Sequence, residues 1–174
     1  MPDGDKIIPR LNKVIEAFSK SNRPIFFTRD WHPSDHISFK HQGGIWPPHC
    51  IQGTRGAEFH PDLEMPQGAT IISKGDKPRL EAYSGFQGTD LGKRLRLLGV
   101  EEVFIGGLTT DYCVKESTKD ALHAGLAVKV LEDCMMAVEV RPGDGARALG
   151  EMQRAGARLA TSRDAINDVA GAQQ

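Results

Sequence analysis

The residues best equipped for chemistry are Cys113 and the trio Asp30, His32 and His49. Cys113 lies in Gly106-Gly107-Leu108-Thr109-Thr110-Asp111-Tyr112-Cys113-Val114, directly after the apolar run Val103-Phe104-Ile105. That run reads as a buried strand. Beyond it, Val114, Thr118, Ala121 and Leu122 recur at helical spacing, Gly125 is the stop, and Thr109 or Thr110 is a suitable N-cap. The spacing therefore puts a cysteine in the first turn of a helix, just past the carboxyl end of a strand. Free N–H groups and the positive end of a helix dipole lower a thiol pKa and favour the nucleophilic thiolate. The same N–H groups can hold a developing oxyanion. A cysteine is also a good small core residue, and Cys50 and Cys134 are read that way.

Asp30-x-His32 is followed by His49, 17 residues further on. In an extended segment residues i and i+2 point the same way, so Asp30 and His32 can share one ion while His49 folds back to it. One carboxylate and two imidazoles suit zinc, iron or manganese and leave coordination positions open. His36 is a candidate extra ligand. The same pattern also fits an aspartate capping a turn beside surface histidines. Lys74, closing the apolar stretch Ala69-Thr70-Ile71-Ile72-Ser73, can partner a thiolate or a leaving amine, or simply extend its stem along apolar surface. Trp46, three residues before His49, offers a flat wall to a planar substrate or ordinary loop packing. Asp111 and Tyr112 either line a pocket or serve the helix start.

The elements that must position these groups alternate. A helix runs from an Asp5 cap to about Lys20, its regular part delayed by Pro9, with Ile7, Ile8, Leu11, Ile15 and Phe18 on one face. Strands follow at Ile25–Thr28, Ala69–Ser73, 102–106, Ala127–Leu131 and Arg158–Thr161. Helices are expected at Thr89–Leu98, after Cys113, at Gly145–Ala155 and from Ser162. From Trp31 to about Leu63 lies a long irregular region holding five of the six histidines, and irregular stretches of that length are usually functional. Alternating strands and helices imply right-handed crossovers and a parallel, Rossmann-like sheet in a three-layer α/β/α arrangement. Sites in such sheets form beyond the carboxyl ends of the strands. Asp30, Lys74 and Cys113 each follow a strand, so three strand ends should meet at one rim.

At 174 residues the sequence is read as one domain, residues 1–174. A formal net charge of -1 gives no electrostatic reason to expect nucleic acid or an anionic membrane as partner. No apolar run approaches the ~18 residues of a spanning helix. Three cysteines without disulfide spacing suit a reducing, cytoplasmic compartment.

Five segments in register, Thr28-Arg29-Asp30-Trp31-His32-Pro33, Gly44-Ile45-Trp46-Pro47-Pro48-His49-Cys50, Ser73-Lys74-Gly75, Tyr83-Ser84-Gly85-Phe86 and Gly107 to Val114, closely resemble nicotinamidases (pyrazinamidases) of the isochorismatase-like hydrolase superfamily. The resemblance runs from Pro2 to about Ser162. It implies Cys113 as nucleophile, Lys74 as the catalytic lysine, and Asp30, His32 and His49 as ligands of a divalent metal, zinc before iron or manganese. Trp46, Thr109 and Tyr112 fall at substrate-binding positions, and a cis peptide precedes Thr109, turning N–H groups there and at Cys113 towards the substrate oxygen. The implied reaction is hydrolysis of nicotinamide to nicotinate and ammonia through a thioester, a step of NAD salvage, with pyrazinamide as a second substrate.

One departure is visible. The family opens with an apolar strand ending in Asp-x-Gln-x-Asp-Phe, which supplies a catalytic aspartate and a second ring wall. Nothing ahead of Pro2-Asp3-Gly4-Asp5 corresponds to it. The expectation is a sheet lacking its first central strand, from a start assigned too late or a segment omitted, with exposed edges that favour self-association into a homo-oligomer. Two further readings stay open: a catalytically impaired protein that keeps the metal and ligand slots, and another small-amide hydrolase of the superfamily.

Overall fold

The computed structural model describes residues 3–171. The chain opens with a tight turn at Gly4–Ile7 and passes into helix α1, Ile8–Lys20. Pro9 sits in its first turn, where a missing N–H costs nothing. Asp5 is not the cap, because Pro9 sets the helix start at Ile8 and Ile7 takes the capping position without a side-chain hydrogen bond. Five strands and four more helices follow: β1 (Phe26–Asp30), β2 (Thr70–Lys74), α2 (Leu91–Leu97), β3 (Glu102–Leu108), α3 (Lys115–His123), β4 (Ala127–Met136), α4 (Asp144–Ala155), β5 (Arg158–Ala160) and α5 (Ser162–Gly171).

All strand pairs are parallel, as alternating strands and helices require. They form two separate pieces, β1–β2 and β3–β4–β5. In the first, Asp30 stands opposite Lys74, so the last residues of two strands become neighbours. In the second, β4 is five residues longer than its apolar run suggests, because it bulges between the pairs Ile105–Val130 and Gly107–Met135. Gly106 permits the bulge: a Cβ there would lie 3.2 Å from both the Cβ and the carbonyl of Cys134.

Helices cover both faces. On one, α1 and α5 pack over β4 around Val14, Leu131, Cys134 and Ala165. On the other, Val114, Ala121, Val130 and Met152 form the larger core, and Ile72, Leu91 and Leu95 form a smaller one under α2. Phe86, Val103 and Leu126 touch both of these, so apolar packing joins the two sheet pieces on this face.

Among the described residues no strand pairs β1 with β3. Both strands instead line a cavity of about 1520 Å³, walled on one side by Leu11, Val14 and Phe18 of α1 and on the other by Phe86 and Leu91. At the carboxyl ends of the strands its lining includes Asp30, Trp46 and Cys113. No helix among the described residues is long and apolar enough to cross a membrane.

Candidate active site

Cys113 follows β3 directly, but through a single wide turn of π-helical type, Thr110–Val114, before α3 begins. Such turns cluster at functional positions because they re-aim side chains without ending the helix. Neither threonine caps it through its side chain: Thr109 is extended and makes no cap hydrogen bond. Its carbonyl instead accepts the N–H groups of Tyr112 and Val114, and the Leu108–Thr109 peptide is cis, as the resemblance implies. Asp111 holds the turn from behind. Its carboxylate is buried and accepts the backbone N–H groups of Val138 and Glu139, 2.9 and 3.0 Å away, clamping the segment after β4 against the cysteine turn.

Lys74, 3% exposed, is the hub. Its ammonium donates to Asp30 Oδ1 at 2.5 Å, to the Ala82 carbonyl at 3.1 Å and to Cys113 Sγ at 3.3 Å. An ammonium has three protons, and all three are placed. Burial alone would favour the neutral amine, but the facing sulfur and Asp30 outweigh it and lift the Lys74 pKa above its usual value. The thiol does not follow the expectation of a lowered pKa. Burial pushes Cys113 up, and the Lys74 ammonium and a backbone hydrogen bond with Thr109 only partly oppose this. Cys50 and Cys134 are also raised, to about 11 and about 12, again by burial first, which fits their reading as unreactive thiols.

Asp30, His32 and His49 each offer one ligand atom, all within 4.8 Å of one another. Each imidazole is tied through Nδ1, His32 to the Gly75 carbonyl at 3.0 Å and His49 to the Pro47 carbonyl at 2.8 Å. Nε2 is left on both as the available donor, the usual arrangement behind a metal-ligating histidine. Burial lowers the His32 pKa, keeping the ring neutral as ligation requires. The donor set, one carboxylate and two neutral imidazoles, fits a divalent ion. His36 is not part of it. It is fully buried with Nδ1 on Ser38 Oγ at 2.7 Å and Nε2 on the Leu80 carbonyl at 3.1 Å, so both ring nitrogens are spent.

Trp46 stands edge-on to Tyr112, ring centres 4.9 Å apart, and its indole N–H donates to the Tyr83 hydroxyl at 2.9 Å. Tyr83 and Tyr112 lie 5.4 Å apart, completing a three-ring wall beside His49. Tyr83 is the member that residue-level reasoning passed over. It lies in an irregular loop nine positions after Lys74, and its Tyr-Ser-Gly-Phe context was the only available signal.

The eight residues that the resemblance places at the site therefore line or border one space. Asp30, His32, Trp46, His49, Thr109, Tyr112 and Cys113 face the cavity, and Lys74 joins Asp30 to Cys113 beneath it. A thiol, a fixed ammonium, a metal-type donor set and an aromatic wall suit addition of sulfur to a carbonyl on a small flat molecule.

Comparison with known proteins agrees. The isochorismatase domain pattern matches residues 1–164. The nicotinamidase of Escherichia coli is 35% identical, the alignment covering 94% of this chain and 87% of that protein. Among solved structures, the pyrazinamidase of Pyrococcus horikoshii in complex with zinc superposes with a TM-score of 0.88 at 48% identity, covering 92% of this chain and 88% of that one. A protein from L. infantum in complex with nicotinate gives a TM-score of 0.83 at 31% identity, covering 94% and 83%.

Proposed function

Because the chain belongs to the isochorismatase family, we propose that it is a metal-assisted cysteine amidohydrolase converting nicotinamide to nicotinate and ammonia, and accepting pyrazinamide. The observation that carries this reading is the Lys74 ammonium, held at once by Asp30 and by the Cys113 sulfur next to the Asp30, His32 and His49 donor group. Nicotinamide has a flat ring and one hydrolysable carboxamide, matching the Trp46, Tyr83 and Tyr112 wall and the thiol in turn. Relatives named for nicotinamide and pyrazinamide favour these over other small amides. The buried Lys74–Cys113 pair favours an enzyme over a silent binding protein.

In this reading Cys113 Sγ adds to the carboxamide carbon, the carbon–nitrogen bond breaks, and ammonia leaves behind a thioester. Water then adds to the thioester carbon and releases nicotinate and the thiol. The leaving nitrogen must gain the proton that the thiol loses. Lys74 Nζ, hydrogen-bonded to the sulfur, gives its proton to that nitrogen and takes the thiol proton in exchange. Asp30 keeps Nζ charged between turnovers, and Asp111 keeps the cysteine turn in place. Trp46 and Tyr112 flank the ring, and Thr109 supplies backbone polarity at the carbonyl. Asp30, His32 and His49 would hold the metal, zinc before iron or manganese, which when bound supplies a Lewis-acidic charge that orients the ring. The reaction belongs to NAD salvage in the cytoplasm.

The test is ammonia release from nicotinamide by zinc-loaded protein. Release by the wild type and its loss in Cys113→Ala are expected. A wild type that liberates no ammonia, or a C113A variant as active as the wild type, refutes the assignment.

A further inference from the structure

We infer that Gly75 is a positioning residue for the metal ligand His32, acting through its carbonyl and through the side chain it lacks. The inference rests on the metal reading of Asp30, His32 and His49. Gly75 follows β2 directly and turns with φ +63°, a left-handed conformation that glycine adopts without strain. Its carbonyl meets His32 Nδ1 at 3.0 Å, which directs the Nδ1–H tautomer and leaves Nε2 as the lone-pair donor. A Cβ on Gly75 would fall 2.5 Å from His32 Cε1 and 2.7 Å from Nδ1, inside the imidazole's own van der Waals envelope.

Two sides of the ring are closed. His36 stacks on it at 4.2 Å, fully buried and tethered at both nitrogens, and Phe39, also fully buried, stands edge-on at 5.7 Å. A methyl group at position 75 must therefore drive the imidazole out of the donor group or break its bond to the carbonyl. The side chains of Cys113 and Lys74 lie outside this collision, so metal affinity and thiol chemistry should separate.

Gly75→Ala and Gly68→Ala test this together. Gly68 has φ +77° with nothing near its missing Cβ, so G68A carries the same backbone strain without the collision. Zinc affinity is measured by competition with a chromophoric chelator, and the cobalt(II) absorption spectrum reports ligand geometry. The expected result is unchanged binding in G68A and a loss of about tenfold or more in G75A, the scale of losing the group behind a ligating histidine. The cobalt spectrum should alter in G75A alone, while the Cys113 alkylation rate stays within about twofold. A G75A protein with wild-type affinity and spectrum overturns the role. Should G75A fold poorly, ¹⁵N spectra of the wild-type imidazoles decide instead: His32 carrying its proton on Nε2 in the zinc-free protein overturns it, and a proton on Nδ1 supports it. If His32→Ala binds zinc as the wild type does, the metal reading itself falls, a result distinct from failure of G75A alone.

Discussion

The two pieces of the sheet are built differently and contribute differently. The β3–β4–β5 piece has its middle strand paired on both sides and helices packed over both faces. It positions Cys113 through one π-helical turn. The β1–β2 piece is a five-residue ladder with Ile71 43% exposed, and it delivers Asp30, Lys74 and the donor group through strand ends and the long loop after β1. Loop backbone bonds such as His32 N–H to the Cys50 carbonyl and Trp31 N–H to the Lys74 carbonyl hold that loop against the ladder. Between β1 and β3 no backbone ladder crosses. What crosses is side-chain contact: Lys74 to Cys113, Trp46 to Tyr112, Gly85 N–H to Ser117 Oγ, and Phe86 in both cores. Lys74 and Cys113 are thus also part of the joint between the two pieces.

Variants can break or sharpen this contrast. The largest effect is expected from Cys113→Ala: ammonia release should fall at least ~10⁴-fold, while zinc binding, which the proposed donor group beside the β1–β2 piece would carry, should be retained. Next is Asp30→Asn set against His49→Ala. Both should weaken zinc, measured by chelator competition, but only D30N leaves the buried Lys74 cation without its anion. Breaking such a pair costs about 3 kcal/mol or more, so D30N should also lower the thermal midpoint by several degrees whereas H49A should not.

The third variant, Lys74→Met, concerns the joint itself. Burial raises the Cys113 pKa and the ammonium lowers it, so removing the charge must raise it further. Cys113 alkylation, followed by peptide mass, should still be climbing with pH above 9 in the wild type. In K74M it should climb only at higher pH, and a shift to lower pH would contradict the pairing. The smallest effect is expected from Tyr83→Phe, which leaves the ring wall but removes the acceptor of the Trp46 N–H. One hydrogen bond is worth about 1 kcal/mol, so KM for nicotinamide should rise a few-fold with kcat little changed.

The site was more legible than its balance of forces. Asp30 and His32 stand out because an i, i+2 pair at a strand end shares a side, and Lys74 and Cys113 because strand ends in a parallel sheet converge. All four meet as that logic requires. Direction of the thiol shift was not legible, because burial of the sulfur is set by distant packing that no local window contains. The length of β4 was hidden for a related reason: its bulge depends on Gly106 of a neighbouring strand. His36 shows the limit of composition. It lies among the ligands in sequence, yet Ser38 and Leu80 claim both nitrogens, and Leu80 is 44 residues away. Tyr83 was missed because a loop residue recruited by one indole N–H has no periodic signature.

The arrangement around Lys74 has a consequence for the protein's reactivity towards electrophiles. An amine is nucleophilic only through a free lone pair, and here every N–H is engaged and the group is held protonated below the surface. Acylating and carbamylating reagents that mark ordinary surface lysines should pass this one by, so the residue closest to the sulfur is among the least available to covalent amine chemistry.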